Sequence, residues 1–486
     1  MSVSVTPEKV FIKRASCTLD CEQLHSYNVG LARVSLLSCG NRLYYCVDEP
    51  EITESDEKVI ETIVRQSFVK GVGEALPSDP ISLRRLAIRI GVPYIRLVER
   101  LPLLKYYTEK VLSGYGPLYP LMRDPEVEEI AIDKPNRPVA VVHRRFETIW
   151  IDTNIVLSEE ELDTLILYIA RRVGKPVSVA HPYAEGLTPE GHRIALTFSK
   201  EISRFGSSLV VRKHFETPLS ITQLIESNVL SPLMAAYLWL LLDYNRSVLI
   251  VGPTASGKTT LLQALLGLVP SSRRIVTIED TPEINLFDRP HWDSLVARHS
   301  YSKDVEDVTL EKLARFALRR RPDILVIGEV RGPEAEVFLQ AAATGHAALA
   351  TMHADSARSA VDRLRAMGIP DYLLDTLDVI VVVSRVRRRN KLLRRVVEIV
   401  EHTPSDLITV FSWRPWEDAF HPATPEEIIK SSTKIRSMVS NGLLDTEEAV
   451  IELRRRAALL ERLRNEGVYE FKDVYKRIDE MYAIIS

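Results

Sequence analysis

The stretch SVLIVGPTASGKTTLLQALL, residues 247–266, constrains this chain more than any other. An apolar run leads into G-x-x-x-x-G-K-T, Gly252 to Thr259, and helix-forming residues follow at once. A strand that turns into a helix through a glycine-rich loop aims backbone N–H groups and the positive end of the helix at one point. The ligand that fits is a polyphosphate. Gly252 and Gly257 let the backbone close around it, and Pro253, Thr254, Ala255 and Ser256 complete the loop. Lys258 brings a cation to the β and γ phosphates, Thr259 offers a hydroxyl to Mg²⁺, and Thr260 continues the first helical turn. The segment predicts a site for a nucleoside triphosphate and Mg²⁺.

From about residue 245 the chain alternates apolar strands with helical stretches: SVLIVG, RIVTIED, DILVIGE and AALATMH. That rhythm predicts a mostly parallel sheet covered by helices. Ligands of such sheets bind at the carboxyl ends of the strands, where Glu329 falls. A carboxylate there can polarise an attacking water or hold a water on Mg²⁺. The residue before it is Gly328, where many nucleotide hydrolases carry a metal-binding Asp. Metal ligation would then rest on Thr259 and on an acid from RIVTIEDTPEI: Glu279, Asp280 or Glu283. The alternative for these acids is to cap a following helix begun by D-T-P-E. In TGHAALATMHADS, His353 ends the fourth strand beside the expected γ-phosphate position, and His346 precedes the same strand.

The rest of the chain is less explicit. Its 486 residues exceed one core, and its longest apolar run, within LMAAYLWLLL at 233–242, is too short to cross a bilayer. With no signal-peptide-like run at the start, a cytoplasmic protein is expected. A net charge of −3 gives no general pull toward nucleic acid. The basic run SRVRRRNKLLRRV reads as a solvated hairpin or as a face for lipid headgroups or an acidic partner. Cys17, Cys21, Cys39 and Cys46 cluster near the start, and their spacing leaves free thiols, disulfides and a bound metal open.

The order GPTASGKTT, IEDTPE, VIGEVRGPEAE, TGHAALATMHADS resembles the secretion ATPase superfamily of type II and type IV secretion, pilus and archaellum assembly. There these segments are Walker A, Asp box, Walker B and His box, and Gly-Glu is the usual Walker B form. The resemblance covers roughly residues 100–400, and GYGPLYPLM and SSLVVRKH look closer to the archaeal branch than to the bacterial type II enzymes. It implies an α/β fold: a RecA-like P-loop ATPase domain (217–400) preceded by a PAS-like α/β domain (114–216). Outside these would lie an accessory N-terminal region with the cysteines (1–78), a helical segment (79–113) and a helical C-terminal tail (401–486). It implies catalytic roles for Lys258, Glu279, Glu329 and His353, and nucleotide-facing arginines at Arg193 and Arg212, with Arg204 a further candidate. It also implies a homo-hexamer that hydrolyses ATP, works on an integral-membrane platform protein and sits peripherally on the cytoplasmic membrane. The competing expectation is a RecA-like motor on nucleic acid. The acidic balance and the lack of an aromatic-plus-basic run count against it.

Overall fold

A computed structural model describes residues 7–70, 80–146, 149–213, 218–298, 306–388 and 391–485. The turn expected at 76–80 falls mostly outside these residues, as do Thr217, where a linker is expected, and Arg389 of the basic run. The chain forms two compact units, Met1–Phe215 and Glu216–Ser486.

The first unit is built on a nine-stranded sheet. In chain order its strands are β1 (Glu22–Val29), β2 (Ala32–Cys39), β3 (Arg42–Asp48), β4 (Val127–Ile132), β5 (Pro138–His143), β6 (Trp150–Val156), β7 (Tyr183–Leu187), β8 (Arg193–Thr197) and β9 (Ser208–Arg212). They lie in the order β1-β2-β3-β6-β5-β4-β9-β8-β7. The stretches RIALTFS and SSLVVRK pair antiparallel as β8 and β9. The accessory region and the strands of 114–216, set apart by sequence, share this one sheet through the parallel pair β3–β6. The helix Glu159–Arg172 covers part of it. Its start is fixed by Ser158, whose side chain accepts from the Glu161 N–H while Glu161 reaches back to the Ser158 N–H. That reciprocal cap satisfies two N–H groups the helix cannot pair internally.

The four cysteines form two disulfides, Cys17–Cys46 and Cys21–Cys39. The metal considered for them is thereby excluded: sulfurs bonded to each other are not thiolate ligands. Cys39 ends β2 and Cys46 lies in β3, so the pairs tie the segment before β1 to the first hairpins. Disulfides persist in oxidising compartments and in intracellular proteins of hyperthermophiles.

The second unit carries another nine-stranded sheet: β10 (Val248–Val251), β11 (Ile275–Glu279), β12 (Trp292–Val296), β13 (Ile324–Ile327), β14 (Ala347–Met352), β15 (Val379–Arg388), β16 (Lys391–His402), β17 (Leu407–Arg414) and β18 (Ala419–His421). The order is β12-β11-β13-β14-β10-β15-β16-β17-β18, parallel from β12 through β15 and antiparallel beyond. Alternate side chains of the central strands enter separate cores on the two faces. Val248 and Ile250 join one, Leu249 and Val251 the other. A strand buried on both faces must be apolar throughout, which is why these segments read as unbroken hydrophobic runs. LMAAYLWLLL forms the helix Pro232–Asp243, with Leu233 through Leu242 all buried. No described helix is long and apolar enough to cross a membrane.

The tail is not purely helical. LITVFSWR and AFH extend the sheet as β17 and β18 before the helices Pro425–Ser431, Thr433–Ser440, Thr446–Asn465 and Phe471–Ile485. These helices are tied to the core by polar contacts. Trp239 Nε1 donates to Tyr482 Oη at 2.6 Å, and Arg456 reaches Asp243 at 2.7 Å. Buried Glu401 accepts from Tyr237 at 2.6 Å and from the Thr433 N–H at 2.6 Å. A fully satisfied carboxylate of this kind fixes where the tail lies, since losing its donors would strand a buried charge.

Candidate active site

The loop after β10 is shaped by two glycines and by what surrounds them. A Cβ on Gly252 would stand 2.1 Å from the Val383 carbonyl oxygen, so no side chain fits there. Gly257 has φ +96°, a left-handed conformation, and begins the helix Lys258–Leu266. The buried Lys258 ammonium bends back onto its own loop, donating to the carbonyls of Gly252 and Pro253, each at 3.0 Å. Burial pulls its pKa down, and Glu329 and Glu283 act against that.

The strand ends bring further groups to the same edge. His353, just past β14, has Nδ1 3.3 Å from Lys258 Nζ and Nε2 3.0 Å from Glu329 Oε1. An ammonium only donates, so Nδ1 accepts, and Nε2 carries the proton it gives to Glu329. Burial first, and the Lys258 charge next, hold the His353 pKa below its usual value, consistent with a neutral ring. Lys258, His353 and Glu329 thus form one connected chain. His346 is not part of it. It precedes β14 at the opposite end of the strand, roughly 20 Å away at strand rise, where its Nδ1 meets the Thr344 hydroxyl at 3.0 Å.

Glu279 ends β11, next to β13. Its Oε1 accepts from the N–H groups of Glu283 and Ile284 at 2.8 and 2.9 Å, while its buried Oε2 has no hydrogen-bond partner among the described residues. No helix starts at Asp280, and the segment instead folds around this carboxylate. Asp280 pairs with Arg331 at 2.6 Å. The odd glycine now has a physical reason. A Cβ on Gly328 would lie 3.0 Å from Glu279 Cγ, so a side chain at 328 would need the acid of the neighbouring strand to shift.

Burial pushes the Glu279 carboxyl from 4.5 up to about 7, with the two backbone donors opposing and Glu283 adding to it. Between those values the folded protein keeps a proton that the unfolded chain releases, so stability falls as pH rises through that window. Glu279→Gln removes this dependence. Without divalent cation, its unfolding free energy should exceed wild type by about 3 kcal/mol above pH 7. The gain should vanish below pH 4.5 in denaturant titrations. Parallel curves for the two proteins would contradict the assignment. The orphaned Oε2 is the kind of oxygen donor that a hydrated cation takes.

Arg193 and Arg212 belong to the other unit. They are direct partners across β8 and β9, both exposed, each near one acid: Glu185 at 3.8 Å from Arg193 and Glu129 at 4.0 Å from Arg212. Arg204 lies in the loop between those strands, over the Phe205 ring.

The family described as Type II/IV secretion system protein matches residues 122–462. An uncharacterized protein of Methanocaldococcus jannaschii is 36% identical over 379 residues, 76% of this chain and 68% of its own length. The type IV secretion system protein VirB11 of Brucella suis is 28% identical over 275 residues, 52% of this chain and 75% of its own. The crystal structure of the Brucella suis VirB11 ATPase aligns at 26% identity over 60% of this chain and 97% of that one, with a TM-score of 0.31. That score is too low to add to the sequence match. The family match spans more than half of the chain and includes every motif of the site, and the chain belongs to the type II/IV secretion system protein family.

Proposed function

We propose that the chain is an Mg²⁺-dependent ATPase that works as a homo-hexameric motor on an integral-membrane platform protein, powering secretion or the assembly of a pilus-like filament from the cytoplasmic side. The observation that carries this reading is the connected set Lys258–His353–Glu329 beside the phosphate loop, with the half-satisfied carboxylate of Glu279 at the same sheet edge. Phosphoryl transfer needs mainly positioning and charge neutralisation, and these are the groups that supply them.

Each residue has a definite task in this reading. The loop from Gly252 to Thr260 binds the phosphate chain, and Lys258 exchanges two loop carbonyls for phosphate oxygens. As it swings away, His353 loses its donor, so occupancy of the loop is passed to Glu329 through one imidazole. Glu329 orients the attacking water. Thr259 and Glu279 would hold Mg²⁺, which when bound supplies positive charge that neutralises the phosphates. Arg193 and Arg212, neighbours across β8 and β9, are the two arginines that this reading assigns to the nucleotide. In this reading hydrolysis belongs to the RecA-like part (217–400), and the PAS-like part (114–216), whose strands share one sheet with the accessory region, supplies the two arginines.

The test is phosphate release by the purified protein with anionic liposomes, and separately with DNA, each against Lys258→Ala. Stimulation of at least severalfold by liposomes, none by DNA, and loss of both basal and stimulated rates in the variant are expected. Stimulation by DNA alone would replace this reading with a nucleic-acid translocase.

A further inference from the structure

Within the basic run of β15 and β16 the arginines have different fates. Arg395 is buried and paired with Asp418 at 2.9 Å, and Arg388 reaches the same carboxylate at 2.8 Å. Arg394 is exposed and turns instead to the phosphate loop. Its Nε donates to the Ala255 carbonyl at 3.4 Å, and its Cδ lies 3.4 Å from where a Cβ on Gly257 would stand. Arg394 therefore meets the loop from outside through one long hydrogen bond, with its stem lying over the face of Gly257 where a side chain would stand. Alternation along β16 explains the split, since neighbouring residues of a strand face opposite ways.

The sheet order says which end of a nucleotide Arg394 would meet. Glu329 follows β13 and Glu279 ends β11, on one flank of β10 beyond β14, whereas β15 and β16 lie on the other flank. A triphosphate with its reacting phosphorus near Glu329 and its chain on the loop directs its nucleoside away from the acids. That direction leads to the β15–β16 flank. A carboxylate-lined end suits the cation and water of hydrolysis, and a planar cation suits a ring.

We propose that Arg394 is the shelf for the base: its guanidinium, resting on Ala255 and Gly257, stacks against the purine ring of the bound nucleotide. The inference rests on the nucleotide-site reading above and adds to it a contact specific to the nucleoside. A guanidinium is flat, weakly hydrated and stacks on rings, properties a lysine lacks. Its bond to Ala255 is long for an N–H to oxygen contact, so little is lost when the group tilts onto a ring.

The experiment is calorimetric titration of ADP and of inorganic tripolyphosphate, with Mg²⁺, into wild type, Arg394→Ala, Arg394→Lys and Lys258→Ala. Arg394→Ala should weaken ADP about tenfold, the scale of one lost base stack, and leave tripolyphosphate unchanged. Arg394→Lys should behave like the alanine variant, because it keeps the charge without the plane. Thermal unfolding of both variants should match wild type. Equal weakening of both ligands would make Arg394 a phosphate or loop-positioning group and overturn the proposal, as would full rescue by lysine or no change in ADP. If wild type binds neither ligand more tightly than Lys258→Ala does, the nucleotide site itself is wrong, and the base shelf with it.

Discussion

Lys258→Ala should lower ATP turnover below about one hundredth of wild type, the scale expected when a preorganised charge is removed from a phosphoryl-transfer site. The structure gives the loss three parts. The ammonium that would face the phosphates disappears, and the carbonyls of Gly252 and Pro253 lose the donor that now holds them. His353 Nδ1 loses its donor as well, and with it the proposed link from loop occupancy to Glu329. Nucleotide titration should show weakened binding together with the lost turnover, while thermal unfolding changes little because no apolar core group is removed. Near-normal phosphate release would mean that another site hydrolyses ATP.

What the sequence made legible follows from where its information is local. The loop from Gly252 to Thr259 announces itself because strand, glycines, lysine and helix are contiguous, and each residue type is dictated by a backbone need. The apolar runs β10, β11, β13 and β14 are equally plain, since burial on both faces leaves no polar alternation to confuse them. The fit of Gly328 against Glu279 was hidden, because those residues are 49 positions apart and meet only when β11 pairs with β13. The cysteine pairing was hidden for a similar reason: four cysteines allow three pairings, and only the hairpin register selects one. His346 and His353 look alike in sequence, yet a strand has two ends and only its carboxyl end carries the site. The tail misled in another way. LITVFSWR sits among charged and polar stretches, and its strand character comes from the edge that β16 offers it. Arg394 was one letter in a basic run until alternation in β16 set it apart from Arg395.

Glu329→Gln should bind ATP with near-wild-type affinity and hydrolyse it at least about a hundredfold more slowly, the lower end of what general-base assistance contributes. The geometry makes this substitution a clean one. Glutamine keeps the shape and still offers an oxygen to His353 Nε2, now 3.0 Å from Glu329 Oε1, so the imidazole and Lys258 need not move. What is lost is the negative charge that draws a proton from the attacking water. The variant should therefore accumulate bound ATP, measurable as a stoichiometric, slowly turned-over complex on rapid filtration with labelled nucleotide. His353→Ala offers the internal comparison: it leaves the Glu329 charge but frees its orientation, and should fall between wild type and Glu329→Gln. If Glu329→Gln instead lost nucleotide binding while hydrolysis per bound ATP stayed the same, Glu329 would be a binding residue. The chain from Lys258 through His353 would then end at a positioning contact, and the base would have to be sought among the acids that follow β11.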